Sequence, residues 1–154
     1  MKTPHQQFSK GFTILEVVIS ITIILIISVI VGSGFQNYQR HQWYQVIVND
    51  VRNELSQSRI ETMGSVGDTV YGAYVGTSTI EFFSGSAPVV GSVDNTIIPF
   101  SGGVYATSSF TGGGWYITFA RMTGIPTATG TIDIIDSIRG VTTTLSVSET
   151  GIIE

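Results

Sequence analysis

The sequence has no cysteine and few charged side chains. The missing cysteines exclude disulfide bridges, thiolate metal sites and a cysteine nucleophile. Charged residues make up 12% of the chain, about half the usual fraction. The protein must therefore be held together by packing. Its 18 glycines, with frequent serine and threonine after Gly64, favour strands and turns in that part.

Basic residues are also scarce. Two of the seven, Lys2 and Lys10, lie in the first ten positions. Beyond Gly11, five Arg stand against eleven Asp and Glu, which is a formal charge of −6. A protein that binds nucleic acid needs the opposite sign to neutralise phosphates. We therefore expect no nucleic acid among the partners.

The chain does contain one long apolar run. Between Phe12 and Phe35 the only charged residue is Glu16. As a helix this run would be about 36 Å long, enough to cross a hydrocarbon core of about 30 Å. The basic leader before it lacks the apolar core and the cleavage site of a secretory signal peptide. By the positive-inside rule, Lys2 and Lys10 predict a cytoplasmic N-terminus and a C-terminal part on the other side.

The acid inside the apolar run needs an explanation, because a charge within a membrane span is costly and points to function. A cut between Gly11 and Phe12 would create an α-amine at Phe12. That amine and the Glu16 carboxylate could neutralise each other, within one subunit or between packed neighbours. The same cut would remove both lysines.

The segment KGFTILE at residues 10–16, with a basic leader before it and an apolar run after it, resembles the N-terminus of type IV prepilins and type II secretion pseudopilins. The resemblance implies that prepilin peptidase cuts after Gly11 and N-methylates Phe12, and that Glu16 is needed for assembly. It implies a structural subunit and no enzyme, first in the bacterial inner membrane and then in a pilus or pseudopilus fibre. The implied partners are prepilin peptidase, other pilin or pseudopilin subunits, the inner-membrane assembly platform and membrane lipid.

The apolar run departs from many major pilins because it contains no proline. It has Gly32-Ser33-Gly34 instead, which weakens a helix and either supplies flexibility or marks the membrane exit. Ser28 and Gly32 form a pair of small residues that would let helices approach closely, or they are two unremarkable small residues.

Residues 36–63 continue the helical pattern without Pro or Gly. An apolar stripe at helical spacing is predicted to pack on the soluble domain: Tyr44, Ile47, Val48, Val51 and Leu55. Three aromatic residues near the membrane exit either form an interfacial belt or pack on the sheet: Tyr38, Trp43 and Tyr44. Gly64 is predicted to end the helix.

The remainder of the chain reads as strands separated by turns. The predicted strands are Thr69–Val75, Thr79–Phe83, Thr96–Phe100, Val104–Thr107, Trp115–Phe119, Thr131–Asp136 and Val141–Val147. Residues 137–140 between the last two are a predicted hairpin turn. The order of these last elements resembles the GspH/FimT group of minor pseudopilins and minor pilins.

The predicted fold class is therefore α+β and pilin-like. A long N-terminal helix, membrane-spanning in its first half, packs on a C-terminal antiparallel sheet domain. The predicted divisions are a cleaved leader at 1–11, a transmembrane and assembly half-helix at 12–35, an amphipathic half-helix at 36–63, and a β-rich domain at 64–154.

Candidate residues for other chemistry are few. His41 is the only histidine outside the leader and is expected to be an exposed helix residue. Asp133 and Asp136 are three apart on a strand, so they point to opposite faces and are expected to be solvated. Three loop residues offer oxygen ligands for calcium without EF-hand spacing: Asp68, Asp94 and Asn95. We expect no metal, cofactor or catalytic residue. The alternative function is a minor tip subunit whose β-domain loops bind DNA, a surface or a secreted substrate.

Overall fold

The computed structural model describes residues 11–154, and all of their side chains except those of residues 32–34, 36 and 37. The predicted leader lies outside the described residues apart from Gly11. The chain divides into two compact units, Met1–His41 and Gln42–Glu154. Helix α1 spans Ile14–Met63 and is followed by a short 3-10 helix at Val66–Asp68. Seven strands follow: β1 Tyr71–Val75, β2 Thr79–Ser84, β3 Thr96–Pro99, β4 Val104–Phe110, β5 Tyr116–Thr118, β6 Gly130–Asp136 and β7 Val141–Val147.

The part of α1 in the first unit is an apolar helix with no buried side chain in Ile14–Val31, a stretch long and apolar enough to cross a membrane. Its hydroxyl groups donate hydrogen bonds to carbonyls four residues earlier, at 2.7–2.8 Å, and they belong to Ser20, Thr22 and Ser28. These polar groups are therefore satisfied within the helix itself, as lipid requires. The backbone stays helical through residues 32–34.

The part of α1 in the second unit confirms the predicted apolar stripe. All five stripe residues are at most 4% exposed: Tyr44, Ile47, Val48, Val51 and Leu55. They belong to a core cluster that also contains residues from both sheets. Of the three aromatic residues with two possible roles, Tyr44 packs in this core, whereas Trp43 stays exposed.

The helix ends at Met63, which confirms the prediction that Gly64 ends it. The Gly64 amide donates to the carbonyl of Ile60 at 2.8 Å. The chain then turns through residues with positive φ, namely Ser65, Gly67 and Asp68. This left-handed backbone cannot continue a helix, so the turn separates α1 from the strands.

The strands form two antiparallel sheets. The first has the order β3-β2-β1-β5 and the second β4-β6-β7. All seven predicted strands are present, with differences at their ends: β1 begins two residues later than predicted, and β4 continues to Phe110. The predicted hairpin between β6 and β7 is confirmed, with Asp136 opposite Val141. Gly72 lets β1 and β5 approach closely, because an added Cβ would lie 2.3 Å from the Ile117 carbonyl oxygen.

One prediction about the strand acids is wrong. Asp133 is half-buried and accepts a hydrogen bond from the Thr144 hydroxyl at 2.6 Å. Asp136, however, is fully buried, and its Oδ1 accepts the backbone N–H groups of Ile138 and Arg139 at 3.1 and 3.2 Å. Asp136 is therefore a structural residue of the hairpin turn, because its carboxylate accepts hydrogen bonds from two backbone N–H groups of that turn.

Candidate functional site

The residues around the predicted cleavage site lie just before the start of α1. Gly11, Phe12 and Thr13 are outside the helix and exposed, and Phe12 is 81% exposed. A Cβ added at Gly11 would meet nothing within 4 Å. The chain's own fold therefore has no steric need for glycine at position 11.

Thr13 is the N-cap of α1. Its carbonyl accepts the N–H of Val17 and its Oγ1 accepts the N–H of Glu16, both at 3.3 Å. A hydroxyl that accepts a hydrogen bond from the third helical residue satisfies one of the four free amides at a helix start. The Thr-x-x-Glu spacing of Thr13 and Glu16 is the sequence signal of this cap. Sequence reasoning used Glu16 and missed the role of Thr13.

Glu16 is exposed and is the acid in the first turn of α1. At this position a carboxylate is stabilised by the positive end of the helix dipole, by about 0.3–1 kcal/mol at a surface. A charge costs about 2.5–3.5 kcal/mol at the centre of a span and less near its end, where Glu16 lies. The helix dipole therefore offsets part of the cost of this charge.

The surface that follows Glu16 is apolar, and no other described residue of the first unit covers it. Large side chains from Val17 to Val31 are 46–75% exposed, including Ile24, Leu25 and Val29. Such a continuous surface is incompatible with water and suits lipid or other apolar helices.

The candidate residues for other chemistry do not form a reactive group. Asp68 is paired with Arg121, and the Asn95 amide donates to Glu81. Among residues 11–154, no three or more Asp, Glu or His side chains are grouped so that they could hold a metal ion. His41 lies on α1, as predicted, but it is half-buried, so the prediction that it is exposed is wrong.

The second unit contains a shallow acidic cavity of about 310 Å³. Glu54 and Glu61 of α1 and Asp94 of the β2–β3 loop line it, together with aromatic rings of β2. Nearby, the buried Glu81 accepts the Gly91 N–H at 2.7 Å and thereby holds the same loop. The negative lining is unfavourable for phosphate groups, in agreement with the low count of basic residues.

Comparison with known families gives one finding. Residues 7–32 match the family model described as the prokaryotic N-terminal methylation motif. Comparisons with curated proteins and with solved structures found no significant match. The match covers the N-terminal motif alone, so the GspH/FimT assignment of the β-domain stays a prediction. The chain carries the prepilin-type N-terminal methylation motif at the start of an apolar helix, and this supports its place among the type IV prepilins and pseudopilins.

Proposed function

We propose that this chain is a structural subunit of a type IV pilus or a type II secretion pseudopilus, of the minor class. The motif match over residues 7–32 carries the proposal, because that stretch contains the predicted processing residues Gly11 and Phe12. The leader would end at Gly11, and the mature chain would begin at Phe12. Residues 12–35 would serve for membrane anchoring and assembly, 36–63 for packing on the domain, and 64–154 for the fibre surface.

Processing would begin with hydrolysis of the Gly11–Phe12 peptide bond. One water molecule is added, which leaves a carboxylate on Gly11 and an amine on Phe12. Methylation of that amine would then take a methyl group from an activated donor bound by the peptidase and would release a proton. The exposed, non-helical backbone of residues 11–13 supports this site, since proteases cut exposed extended segments most readily.

Assembly would use the new amine. The methylated amine of Phe12 keeps its positive charge and can pair with a Glu16 carboxylate of its own or of a neighbouring subunit. In an apolar helix bundle, an unpaired charge is strongly unfavourable, so pairing favours the assembled state. The exposed Ile and Val side chains of the apolar helix supply the packing surface.

The location follows from the same features. Before assembly, the subunit would lie in the bacterial inner membrane with its N-terminus in the cytoplasm and its β-domain outside. Its partners would be prepilin peptidase, the assembly platform, neighbouring subunits and lipid.

A second function is a tip subunit that binds a surface or a secreted substrate. The β2–β3 loop favours it, since three of its valines are 58–98% exposed: Val89, Val90 and Val93. A tip subunit would be rare in the fibre, so its stoichiometry relative to other subunits distinguishes this function from that of a shaft subunit.

The test combines mass analysis with fibre assembly in a host that has an active prepilin peptidase. The wild-type protein extracted from membranes should begin at a methylated Phe12. Glu16→Ala and Glu16→Gln should insert and be processed normally, whereas their incorporation into fibres should fall about a hundredfold or more. That estimate follows because loss of one partner of a buried ion pair costs about 3–5 kcal/mol and 1.4 kcal/mol is tenfold.

Glu16→Gln is the sharper variant, because it keeps the side-chain shape and removes only the charge. An uncut Met1 terminus would refute the proposed processing. Normal incorporation of both variants would refute the role of the carboxylate and leave the processing intact.

A further inference from the structure

The bond that the peptidase would cut lies two residues before a helix start, and Thr13 sets that start. The helix begins at Ile14, and the Thr13 hydroxyl oxygen accepts a hydrogen bond from the backbone N–H of Glu16 at 3.3 Å. Gly11 and Phe12 are outside the helix and exposed. The helix boundary and the cleavage site are therefore nearly the same place in the chain.

Removal of the cap would favour an extension of the helix toward the N-terminus. The amides of the first turn need acceptors, and the available ones are carbonyls four residues earlier. In that extension the Leu15 amide would bond the carbonyl of Gly11, which is the carbonyl of the bond to be cut. An amide without an acceptor is unfavourable next to lipid, which also favours this extension.

We propose that Thr13 is a positioning residue for processing, whose hydroxyl caps α1 and so keeps the Gly11–Phe12 bond in a non-helical, cleavable conformation. This inference depends on the cleavage site proposed above. Thr13 takes no part in the bond changes of hydrolysis. Gly11 acts in the same direction, because glycine is a poor helix former and opposes extension through the bond.

The experiment measures the rate at which purified prepilin peptidase cuts the full-length precursor in detergent or lipid vesicles. The variants are Thr13→Val, which keeps the shape and loses the acceptor, Thr13→Ala, and the capping residues Thr13→Ser and Thr13→Asn. Rates should follow capping ability and not shape. Val and Ala should be cut about fivefold more slowly, and Ser and Asn at about the wild-type rate, since a cap contributes a factor of about five.

A second measurement follows the helix start directly. With a ¹³C label on the Gly11 carbonyl, the infrared band should be non-helical in the wild type and in Thr13→Asn, and should shift toward the helical position in Thr13→Val. A general loss of stability would not move this band in that direction. The mass of every product should show the same cut after Gly11.

The outcomes separate this inference from the function it depends on. If the wild-type precursor is not cut after Gly11, the proposed function is wrong. If the wild type is cut and Thr13→Val is cut equally fast, the capping role alone is overturned. Cutting of Thr13→Asn as slow as that of Thr13→Val would also overturn it, because the peptidase would then read the threonine side chain itself.

Discussion

The Tyr44 hydroxyl joins α1 to the second sheet, and its removal provides a direct test of how the second unit is held together. Tyr44 is fully buried. Its hydroxyl lies 2.8 Å from the carbonyl oxygen of Ile134 in β6, to which it donates, and 2.8 Å from the Thr143 hydroxyl in β7. Tyr44→Phe keeps the ring in the core and removes both hydrogen bonds.

The expected loss is about 2 kcal/mol. A hydrogen bond contributes a net 0.5–1.5 kcal/mol, and a buried polar group left without a partner adds to the cost, so two bonds give roughly this value. The second unit spans Gln42–Glu154, or 113 residues counted inclusively. At roughly 2.1 cal/mol/K per residue, 2 kcal/mol lowers the Tm by about 8 °C.

The assay is denaturant and thermal unfolding of the full-length protein in detergent micelles, followed by tryptophan fluorescence. Tyr38→Phe is the matched control, because it makes the same chemical change at a side chain that is 61% exposed. Its Tm should change by less than about 2 °C. Thr143→Val combined with Tyr44→Phe should cost less than the sum of the two single changes, since the two hydroxyls share one hydrogen bond.

If Tyr44→Phe is as harmless as Tyr38→Phe, the Tyr44 hydroxyl does not stabilise the second unit. That result would mean that the hydrogen bonds of the Tyr44 hydroxyl in the folded protein are no stronger than its hydrogen bonds to water in the unfolded chain. Packing of the ring alone would then hold the helix on the sheet. Strict additivity of the Tyr44 and Thr143 changes would refute the shared bond while leaving the bond to the β6 carbonyl possible.

Two further predictions concern turns in the second unit. Gly151→Ala should destabilise the protein by about 3 kcal/mol in the same unfolding assay, because φ is +77° and an added Cβ would lie 2.2 Å from a carbonyl oxygen. Gly140→Ala, with φ at +64° and open space around it, should cost only about 1 kcal/mol, and equal losses would contradict the steric argument. Asp136→Ala should cost about 1–3 kcal/mol, because two turn amides lose a buried acceptor. Asp133→Ala should cost less than about 1 kcal/mol, and a reversed order would show that burial of the carboxylate is not what stabilises the hairpin.

Much of the fold could be predicted because its signals are local. Helical spacing of apolar residues from Tyr44 to Leu55 identified the buried face of α1, since a helix brings residues three and four apart onto one side. Gly64 ended the helix because glycine readily leaves the helical conformation. The β6–β7 hairpin was predicted from two alternating segments and the short polar turn between them.

Other features could not be read from the sequence because they depend on residues far apart in the chain. The order β3-β2-β1-β5 places β5 beside β1, and no local pattern specifies that pairing. Burial of Asp136 and Glu81 was not predicted for the same reason. A carboxylate on a strand looks the same in sequence whether its surroundings are water or amide groups that donate to it.

The sequence by itself determined the apolar helix, the acid near its start and the motif that precedes it, because each depends only on composition and spacing along one segment. The tertiary structure decided which side chains are buried, how the two sheets are ordered, and that Tyr44 packs in the core. The cap at Thr13 lies between these cases. Its Thr-x-x-Glu signal is local, but the structure was needed to show that the helix begins there and leaves Gly11 and Phe12 outside. The physical reason is that short-range hydrogen bonds are encoded by neighbouring residues, whereas burial is encoded by the whole chain.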